Sequence, residues 1–407
     1  MKILCVFGKH NYGDPGRGEG YEFTNFLPAL RRLEHEIIFF ESFSRAGYRS
    51  FSELNRAFLN AVDRNQPDVI LCVLIHYELW LETLAIVREK TNCILINWAT
   101  DDSWKYSQFS RFIAPSFHLY ATTFAEAISK ARRDGINNLF PTQWAANAAT
   151  LCPPLPAASC RLPVSFVGSA YGSRPRLIGK LKQHGIDVAC FGHGWPGGAV
   201  AADVIPKIIR ESVISLNFSD SPLVINGWVP SRSRQIKARV FEVPGAGGFL
   251  LTENVAGLDN YYVPGAEIAA FDDAEDLVHK IRFYLEHPEM RDRVAIAGHN
   301  KTKTDHTYDM RFAEMLRAAA NLSGNRSATP RWRFDAGDFD AIAARHRCGW
   351  LLSCIRLMLT AVCAVIWGPR RGKRAARRIV FELSWRLAGK RTYTAAGWPG
   401  RMFFKES

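Results

Sequence analysis

Short apolar runs alternate with longer amphipathic stretches through the first 150 residues of the chain. The runs are continuous and rich in β-branched and aromatic residues, as expected for strands that are buried on both faces of a parallel sheet. They predict strands at Lys2–Phe7, Glu36–Phe40, Asp68–Leu74, Cys93–Trp98, Leu119–Thr122 and Leu139–Thr142. Helical patterns at Phe51–Asn65 and Glu78–Lys90 lie between them. The βα rhythm predicts a doubly wound parallel sheet.

A second βα series follows a proline-rich stretch. Residues 151–163 hold four prolines in thirteen positions, which predicts a linker. Beyond it, strands are predicted at Val164–Gly168, Asp187–Gly192, Val213–Asn217, Phe249–Thr252 and Glu267–Phe271, with helices at Pro175–His184, Ser233–Val243 and Asp273–His287. We therefore expect an α/β protein with two Rossmann-like domains, residues 1–150 and 164–322. Ligands of such sheets bind at the carboxyl ends of the strands, so we expect a cleft there.

The last segment, residues 323–407, has a different composition. It begins polar, and then Gly349–Trp367 forms a nineteen-residue stretch that is apolar apart from Arg356, two Ser/Thr residues and the leading glycine. This is close to the roughly 20 residues that a membrane-spanning helix needs. Because Arg356 makes full insertion into the membrane costly, a helix that lies in the membrane interface is the less costly interpretation. The alternative is a helix that packs on the body of the protein or on a partner.

Charge is concentrated in the same segment. Residues 331–407 carry 16 Lys and Arg against 5 Asp and Glu, so +11 of the net charge of +13 lies there. A nucleic-acid enzyme would spread its basic residues around a groove, so we expect no nucleic-acid partner. The basic cluster that begins at Arg370 suits an anionic membrane surface instead.

The cysteines and the first residues of the chain point to the cytoplasm. The nine cysteines are scattered singly, without zinc spacing or a disulfide framework, which favours a reducing compartment. The opening MKILCVFGKH has too short an apolar run for a signal peptide. We expect a cytoplasmic protein, peripheral at the inner face of a membrane.

The segment Gln235–Asn254 is the most informative for chemistry. Arg239 and Glu242 are three residues apart and share one face of the predicted helix. The helix runs into Pro-Gly-Ala-Gly-Gly, whose backbone at Gly247 and Gly248 can approach a ligand closely. The carboxylate is placed to accept ribose hydroxyls, and exposed amides of the turn suit phosphate. In the alternative, Glu242 pairs with Arg239 and the glycines serve packing.

These residues resemble a known family. The run that begins RVFEVPGAGGFLLTEN, includes YLEHPEMR and closes with HTYDMR is similar to the C-terminal half of the CgeB-like glycosyltransferases, which have the GT-B fold. The blocks NWATDD at 97–102, FVGSAYGSR at 166–174 and GHGW at 192–195 fit the same group. The resemblance covers roughly residues 65–320 and is most specific in its second half.

The resemblance implies transfer of a sugar from a nucleotide donor that the second domain holds. Glu242 aligns with the second glutamate of the E-x7-E element of related enzymes, which typically holds the ribose. The first glutamate is replaced by Arg234. We expect no cofactor and no metal. The expected donor-binding residues are Gly168, Ser169, Arg174, His193, Asn217, Arg239, Glu242, Gly247, Gly248, Thr252, Glu253 and Asn254.

Arg174 follows the first strand of the second domain and its small-residue turn, Gly168-Ser169. A guanidinium matches phosphate oxygens, so this arrangement predicts a pyrophosphate clamp. Such a cation would stabilise the negative charge that develops on the departing diphosphate without a bound metal. The alternative is a surface arginine at a helix start.

The acceptor side needs a base. Asp101 and Asp102 follow a predicted strand at its carboxyl end, and either carboxylate is a candidate for deprotonating an acceptor hydroxyl. Alternatively, one of them caps the next helix. His76 is a third candidate. Asn11 and Gly13, in the glycine-rich loop after the first strand, are candidates for contacting an acceptor or a phosphate.

Two further functions remain open at this stage. A sugar-nucleotide epimerase or hydrolase would share the donor pocket, and a degenerate module would bind a nucleotide sugar without turnover. Arg234 keeps the second possibility open. A dehydrogenase is disfavoured because the loop at residues 10–20 lacks the G-x-G-x-x-G spacing.

Overall fold

The computed structural model describes residues 1–221, 224–226, 229–231, 233–324 and 334–407. The chain divides into two compact units. The first unit contains Met1–Leu27, Glu34–Pro141 and Leu316–Ser407, and the second contains Pro28–Leu33 and Thr142–Met315.

Six parallel strands form the sheet of the first unit. They are β1 (Lys2–Phe7), β2 (Glu36–Glu41), β3 (Val69–Cys72), β4 (Ile94–Ala99), β5 (Leu119–Thr122) and β6 (Leu139–Pro141). Their order across the sheet is β2-β1-β3-β4-β5-β6, with Ile3 opposite both Ile37 and Val69. The chain winds outward in both directions from β1 and β3, so a crevice is expected where these strands end.

The helices of this unit connect successive strands. They are α1 (Tyr21–Arg32), α2 (Phe51–Asn65), α3 (Leu81–Lys90), α4 (Asp102–Lys105), α5 (Arg111–Ile113) and α6 (Ala125–Arg133). Helix α2 begins at the predicted residue because the Ser50 side chain accepts a hydrogen bond from the Glu53 amide. Its residues Phe51, Leu54 and Phe58 are buried against the sheet.

The second unit contains a parallel sheet of five strands. They are β7 (Leu162–Val167), β8 (Ala189–Phe191), β9 (Ser212–Asn217), β12 (Leu250–Glu253) and β13 (Ala269–Phe271), and a separate antiparallel pair is β10 (Val224–Asn226) with β11 (Val229–Ser231). The order of the large sheet is β13-β12-β9-β7-β8. All five predicted strands are present in it.

The helices of the second unit are α7 (Arg174–Gln183), α8 (Ile205–Arg210), α9 (Arg239–Gly245), α10 (Ala274–Glu286), α11 (Pro288–Asp305) and α12 (Tyr308–Gly324), the last of which continues into the first unit. The predicted start of a helix at Ser233 is wrong. Arg234 forms an isolated antiparallel bridge with Asp220, and the Gln235 amide donates to the Ser219 carbonyl at 3.2 Å. These bonds keep the segment extended, so the helix begins only at Arg239.

The C-terminal segment is part of the first unit. Its helices are α13 (Ala336–Ala344), α14 (Trp350–Trp367), α15 (Pro369–Ala388) and α16 (Trp398–Met402). Phe339, Phe381 and Tyr393 are buried in the same hydrophobic core as the first sheet. Phe339 stacks on Trp80, with the ring centroids 6.0 Å apart. The segment therefore completes this core and is not a separate appendage.

Helix α14 packs one side on its neighbours and exposes the other. Leu352, Ile355, Leu359 and Cys363 pack against α15 and α16. The other side and the C-terminal end of the helix bear large exposed side chains, namely Trp350, Leu351, Leu357, Met358, Val362, Val365 and Ile366. Arg356 lies away from this apolar face, and its guanidinium is 5.8 Å from the centre of the Phe403 ring. Among the described residues, α14 is the one helix whose length and composition would allow it to cross a membrane.

Candidate functional site

Polar side chains meet at the carboxyl ends of the central strands in the second unit. Asn217 ends β9 and Thr252 lies on the neighbouring strand β12. The Asn217 Nδ2 atom donates to Thr252 Oγ1 at 2.8 Å, and both residues are buried. Because the two buried side chains are hydrogen-bonded to each other, they form a rigid base beneath the candidate site.

Glu253 is the last residue of β12 and is only 4% exposed. Its Oε2 accepts a hydrogen bond from the Ser219 amide at 2.9 Å, and its Oε1 lies 3.1 Å from Nη2 of Arg234. Arg234 occupies the position at which the sequence resemblance predicts a glutamate. Its positive charge therefore balances a buried carboxylate at the end of the sheet.

Arg174, the first residue of α7, is buried rather than exposed at a helix start. Its Nη1 donates to the Ser169 carbonyl at 3.0 Å and its Nη2 to the Phe218 carbonyl at 3.2 Å. The guanidinium lies 4.0 Å from the centre of the Tyr171 ring. These contacts hold a cation between the ends of β7 and β9. Its burial lowers the pKa of the guanidinium below the usual value.

Arg239 and Glu242 form an ion pair across one turn of α9. Nη1 of Arg239 lies 2.8 Å from Oε2 of Glu242, and each side chain is about one fifth exposed. This is the contact that the alternative interpretation of the segment predicts. Arg239 is also close enough to Arg174 for its charge to lower the pKa of the Arg174 guanidinium further. Both guanidinium groups therefore lie in one region of the second unit, together with the carboxylates of Asp220, Glu242 and Glu253.

The expectation of exposed amides in the glycine turn is wrong. The Gly247 amide donates to the Pro244 carbonyl at 3.0 Å, and the Gly248 amide donates to the Val243 carbonyl at 2.8 Å. Both glycines are buried. Gly247 has φ +80°, and a Cβ there would lie 2.8 Å from the Pro153 carbonyl oxygen. Gly247 lets the end of α9 pack tightly against Cys152 and Pro153, because no side chain fits there.

The remaining predicted donor residues lie in loops near the same strand ends. His193 is exposed, and its carbonyl accepts a hydrogen bond from the Ala170 amide at 2.8 Å. The Gly168 carbonyl accepts one from Nε1 of Trp195 at 2.7 Å. Asn254 is exposed and donates from Nδ2 to the Asp272 carboxylate at 2.8 Å. The loops after β7 and β8 are thus tied together.

The two adjacent aspartates of the first unit have different environments. Asp102 is 1% exposed, and its carboxylate accepts hydrogen bonds from the hydroxyls of Ser110 and of Thr122, the latter at 2.6 Å. Burial raises the pKa of Asp102. Asp101 is one third exposed, with Oδ2 3.8 Å from Nζ of Lys105. Asp101 occupies the cap position of α4, but its side chain makes no capping hydrogen bond.

His76 follows β3 and contacts the C-terminal segment. Its ring centroid lies 6.2 Å from that of Phe381 on α15. Burial lowers the pKa of His76 well below its ordinary value, and the charges of Arg377, Lys105 and Arg45 lower it further. The imidazole is therefore neutral at neutral pH.

Sequence reasoning missed Glu22, in the first turn of α1. Burial raises the pKa of this carboxyl, the negative charge of Asp101 raises it further and the positive charge of Lys105 lowers it. Glu22 is thus a neighbour of Asp101. The position of Glu22 in the sequence could have indicated it, since Glu22 lies in the first turn of the helix that follows β1 and the glycine-rich loop.

Asn11 and Gly13 fix the conformation of the glycine-rich loop. The Asn11 Nδ2 atom donates to the Glu19 carbonyl at 2.8 Å and to the Arg17 carbonyl at 3.2 Å. Gly13 has φ +68°, and a Cβ there would lie 2.7 Å from the Phe43 carbonyl oxygen. These contacts shape the loop from within.

Solved structures with the same architecture are known. The sucrose-phosphate synthase from Thermosynechococcus elongatus has a TM-score of 0.57 at 10% identity, covering 80% of this chain and 100% of that chain. Anabaena HepE in complex with UDP-glucose has a TM-score of 0.54 at 12% identity, covering 78% and 100%. The lipopolysaccharide outer core galactosyltransferase WaaB in its apo form has a TM-score of 0.50 at 12% identity, covering 78% and 99%. These similarities, with the two parallel sheets, define the GT-B fold.

Sequence comparison finds a family similarity in one part of the chain. Residues 174–317 match the family described as Glycosyl transferase-like, and the match includes Arg174, Arg239 and Glu242. No curated protein matches the sequence.

Proposed function

We propose that this protein transfers a sugar from a nucleotide-sugar donor to a glycan or lipid-linked acceptor, without a metal. The observation that carries the proposal is the proximity of Arg174, held at the ends of β7 and β9, to the Arg239–Glu242 pair on α9, within a segment that matches a glycosyltransferase-like family. The CgeB-like resemblance of the same segment supports it.

The donor site requires groups for the ribose and for the diphosphate. Glu242 is partly exposed, and its carboxylate is of the type that accepts ribose hydroxyls. Arg174 and Arg239 supply two positive charges. When the bond between the anomeric carbon and the diphosphate oxygen breaks, negative charge develops on the departing nucleoside diphosphate. Cations already held in place stabilise that charge, which makes a metal unnecessary.

The acceptor hydroxyl must lose its proton as its oxygen bonds to the anomeric carbon. Asp101 is our choice of base, because its carboxylate is partly exposed whereas that of Asp102 is buried and occupied by two hydroxyls. His76 remains the second candidate, since a neutral imidazole also accepts a proton. The proton moves from the acceptor hydroxyl to this base.

The C-terminal segment supports a membrane location. Helix α14 presents an exposed apolar face, and the basic residues Arg370, Arg371, Lys373 and Arg374 follow directly on α15 and are exposed. Apolar side chains enter the boundary of the lipid tails while basic side chains bind anionic headgroups. We propose that this segment holds the enzyme at the cytoplasmic face of a membrane, where a lipid-linked acceptor resides.

Nucleotide release from a panel of UDP-, GDP- and TDP-sugars tests the proposal. We expect slow hydrolysis of one donor by the wild-type chain and its loss in Glu242→Ala. Glu286→Ala is the matched control, because Glu286 is an exposed carboxylate at the end of α10. Tight binding of a donor without release, even with added acceptors, would instead identify a binding module. Release that acceptors never accelerate would identify a hydrolase or an epimerase.

A further inference from the structure

Four positively charged side chains converge near the end of β3 in the first unit. Arg45 follows β2, Lys105 ends α4, and Arg377 and Arg378 lie on α15. Lys105 Nζ donates to the Ile75 carbonyl at 3.4 Å, beside His76. The Arg45 guanidinium lies 4.8 Å from the centre of the Phe51 ring, which contacts Tyr77, and Phe381 brings α15 against His76. Burial lowers the pKa of His76, and the charges of all four cations lower it further. The strand order reverses between β1 and β3, so this is the edge where a doubly wound sheet receives ligands.

Two of these cations have buried nitrogens without partners. Nε and Nη2 of Arg45 and Nε and Nη1 of Arg377 are buried, and no hydrogen-bond acceptor reaches them within the described part of the chain. Arg45 donates from Nη1 to the Ser42 carbonyl at 3.1 Å, and its guanidinium carbon lies 4.8 to 5.4 Å from the ring centres of Phe51, Phe43 and Phe404. These rings contact the guanidinium but offer no oxygen acceptor to Nε and Nη2. Buried guanidinium nitrogens are costly to leave unpaired, so their retention calls for an acceptor that binds there.

The neighbouring carboxylates are already occupied. Glu78 is 1% exposed and accepts hydrogen bonds from the amides of Ile75 at 2.9 Å and His76 at 2.8 Å. Glu41 likewise accepts from backbone amides, including that of Phe43 at 2.8 Å. Arg378 has its own partner, because its Nη2 lies 2.6 Å from Oε1 of Glu382. Arg45 and Arg377 therefore remain without a carboxylate partner among the described residues.

We propose that Arg45, Lys105 and Arg377 bind a phosphate or diphosphate group in the first unit. A phosphate oxyanion offers several acceptor oxygens, which matches the four unpaired guanidinium nitrogens. Lys105 also approaches Asp101, so the anion lies near the candidate base. If the proposed function holds, the group belongs to the acceptor, which is then a phosphorylated sugar or a lipid-linked phosphate. The C-terminal segment thus supplies one of the binding residues through Arg377.

Calorimetric binding of inorganic pyrophosphate to the full chain tests this site. The ionic strength is fixed, and each titration is repeated in saturating UDP, GDP and TDP so that the donor site is occupied. Removing charge-assisted hydrogen bonds in Arg377→Met or Arg45→Met should weaken pyrophosphate binding by about tenfold to a hundredfold. Arg374→Met is the matched control, since Arg374 is exposed on the same helix. Equal loss in the control, or unchanged affinity in Arg377→Met, overturns the proposal.

Thermal melting separates binding from folding. Arg377→Met keeps much of the aliphatic bulk and removes a partly buried charge, so it should melt no lower than the wild-type chain. A lower melting temperature together with lost affinity would mean that Arg377 holds the fold, and would also overturn the proposal. If phosphatidic acid vesicles compete with pyrophosphate, the phosphate that binds this site belongs to a lipid. If the vesicles do not compete, it belongs to a soluble acceptor. None of these measurements depends on donor hydrolysis, so the two proposals fail independently.

Discussion

Arg234 forms an ion pair with Glu253, with Nη2 and Oε1 3.1 Å apart at the carboxyl end of β12. The sequence resemblance predicts a glutamate at the position of Arg234, and here the arginine balances a carboxylate that is almost fully buried. The substitution in the family pattern is therefore accompanied by a local charge partner. A glutamate at this position would face a second negative charge.

Restoring the family glutamate should harm the second unit. Arg234→Glu places two carboxylates together and leaves Glu253 without its cation. Because the Arg234 side chain is half exposed, we expect a modest loss of about 1–2 kcal/mol in the free energy of unfolding. Denaturant unfolding measures it, with Arg293→Glu as an exposed control on α11. A variant as stable as the wild-type chain would contradict the importance of this pair.

The C-terminal segment should be needed for the stability of the first unit. Phe339 is fully buried against Trp80, so Phe339→Ala leaves a cavity and should cost about 3–5 kcal/mol. Leu351→Ala, on the exposed face of α14, should cost little. Chemical denaturation of both variants checks the difference. Equal stabilities would mean that the segment does not complete the core.

Acid should destabilise the packing of His346 against Trp80. His346 packs 5.1 Å from the Trp80 ring centroid, and burial lowers its pKa to about 4. The unfolded chain binds this proton near pH 6.5 whereas the folded chain does not, so the contribution is present above pH 6.5 and is lost as the pH falls toward 4. The full contribution of the neutral His346 to the free energy of unfolding is about 3 kcal/mol. Unfolding free energies measured from pH 7 to pH 4 should fall less steeply in His346→Gln, and an unchanged slope would refute this assignment.

The exposed face of α14 should determine membrane binding. Replacing Leu351, Met358, Val362 and Val365 with glutamine keeps the packed side of the helix intact. Sedimentation with anionic vesicles should then weaken by more than about tenfold, because the apolar side chains no longer enter the lipid boundary. Neutral vesicles serve as the control for the basic cluster. Wild-type sedimentation by the fourfold variant would argue against a membrane role.

Much of the fold could be predicted because buried parallel strands leave continuous apolar runs. The bounds of β1, β5 and α2 agree with the structure residue for residue. The start of α9 could not be predicted, since it depends on a bridge between Arg234 and Asp220, which are distant in sequence. The amides of Gly247 and Gly248 could not be predicted to be occupied either, since this depends on how the end of α9 turns back onto its own carbonyls.

The sequence predicted which strand ends carry the candidate site, but not the hydrogen-bond partners of the side chains there. Asn217 and Thr252 lie together because parallel strands end at one edge of a sheet. The difference between Asp101 and Asp102 could not be read from the chain, because it arises from the hydroxyls of Ser110 and Thr122. The cluster of Arg45, Lys105 and Arg377 also eluded sequence reasoning, since its members lie far apart along the chain.

The most direct test of donor binding is the affinity of the full chain for nucleoside diphosphates, compared between wild type and Glu242→Gln. The substitution keeps the shape of the side chain and removes the charge that would accept the ribose hydroxyls. We predict binding of one nucleoside diphosphate that weakens by about tenfold to a hundredfold in Glu242→Gln and is unchanged in Glu286→Gln. Equal affinity of wild type and Glu242→Gln would contradict the assignment of the second unit's site.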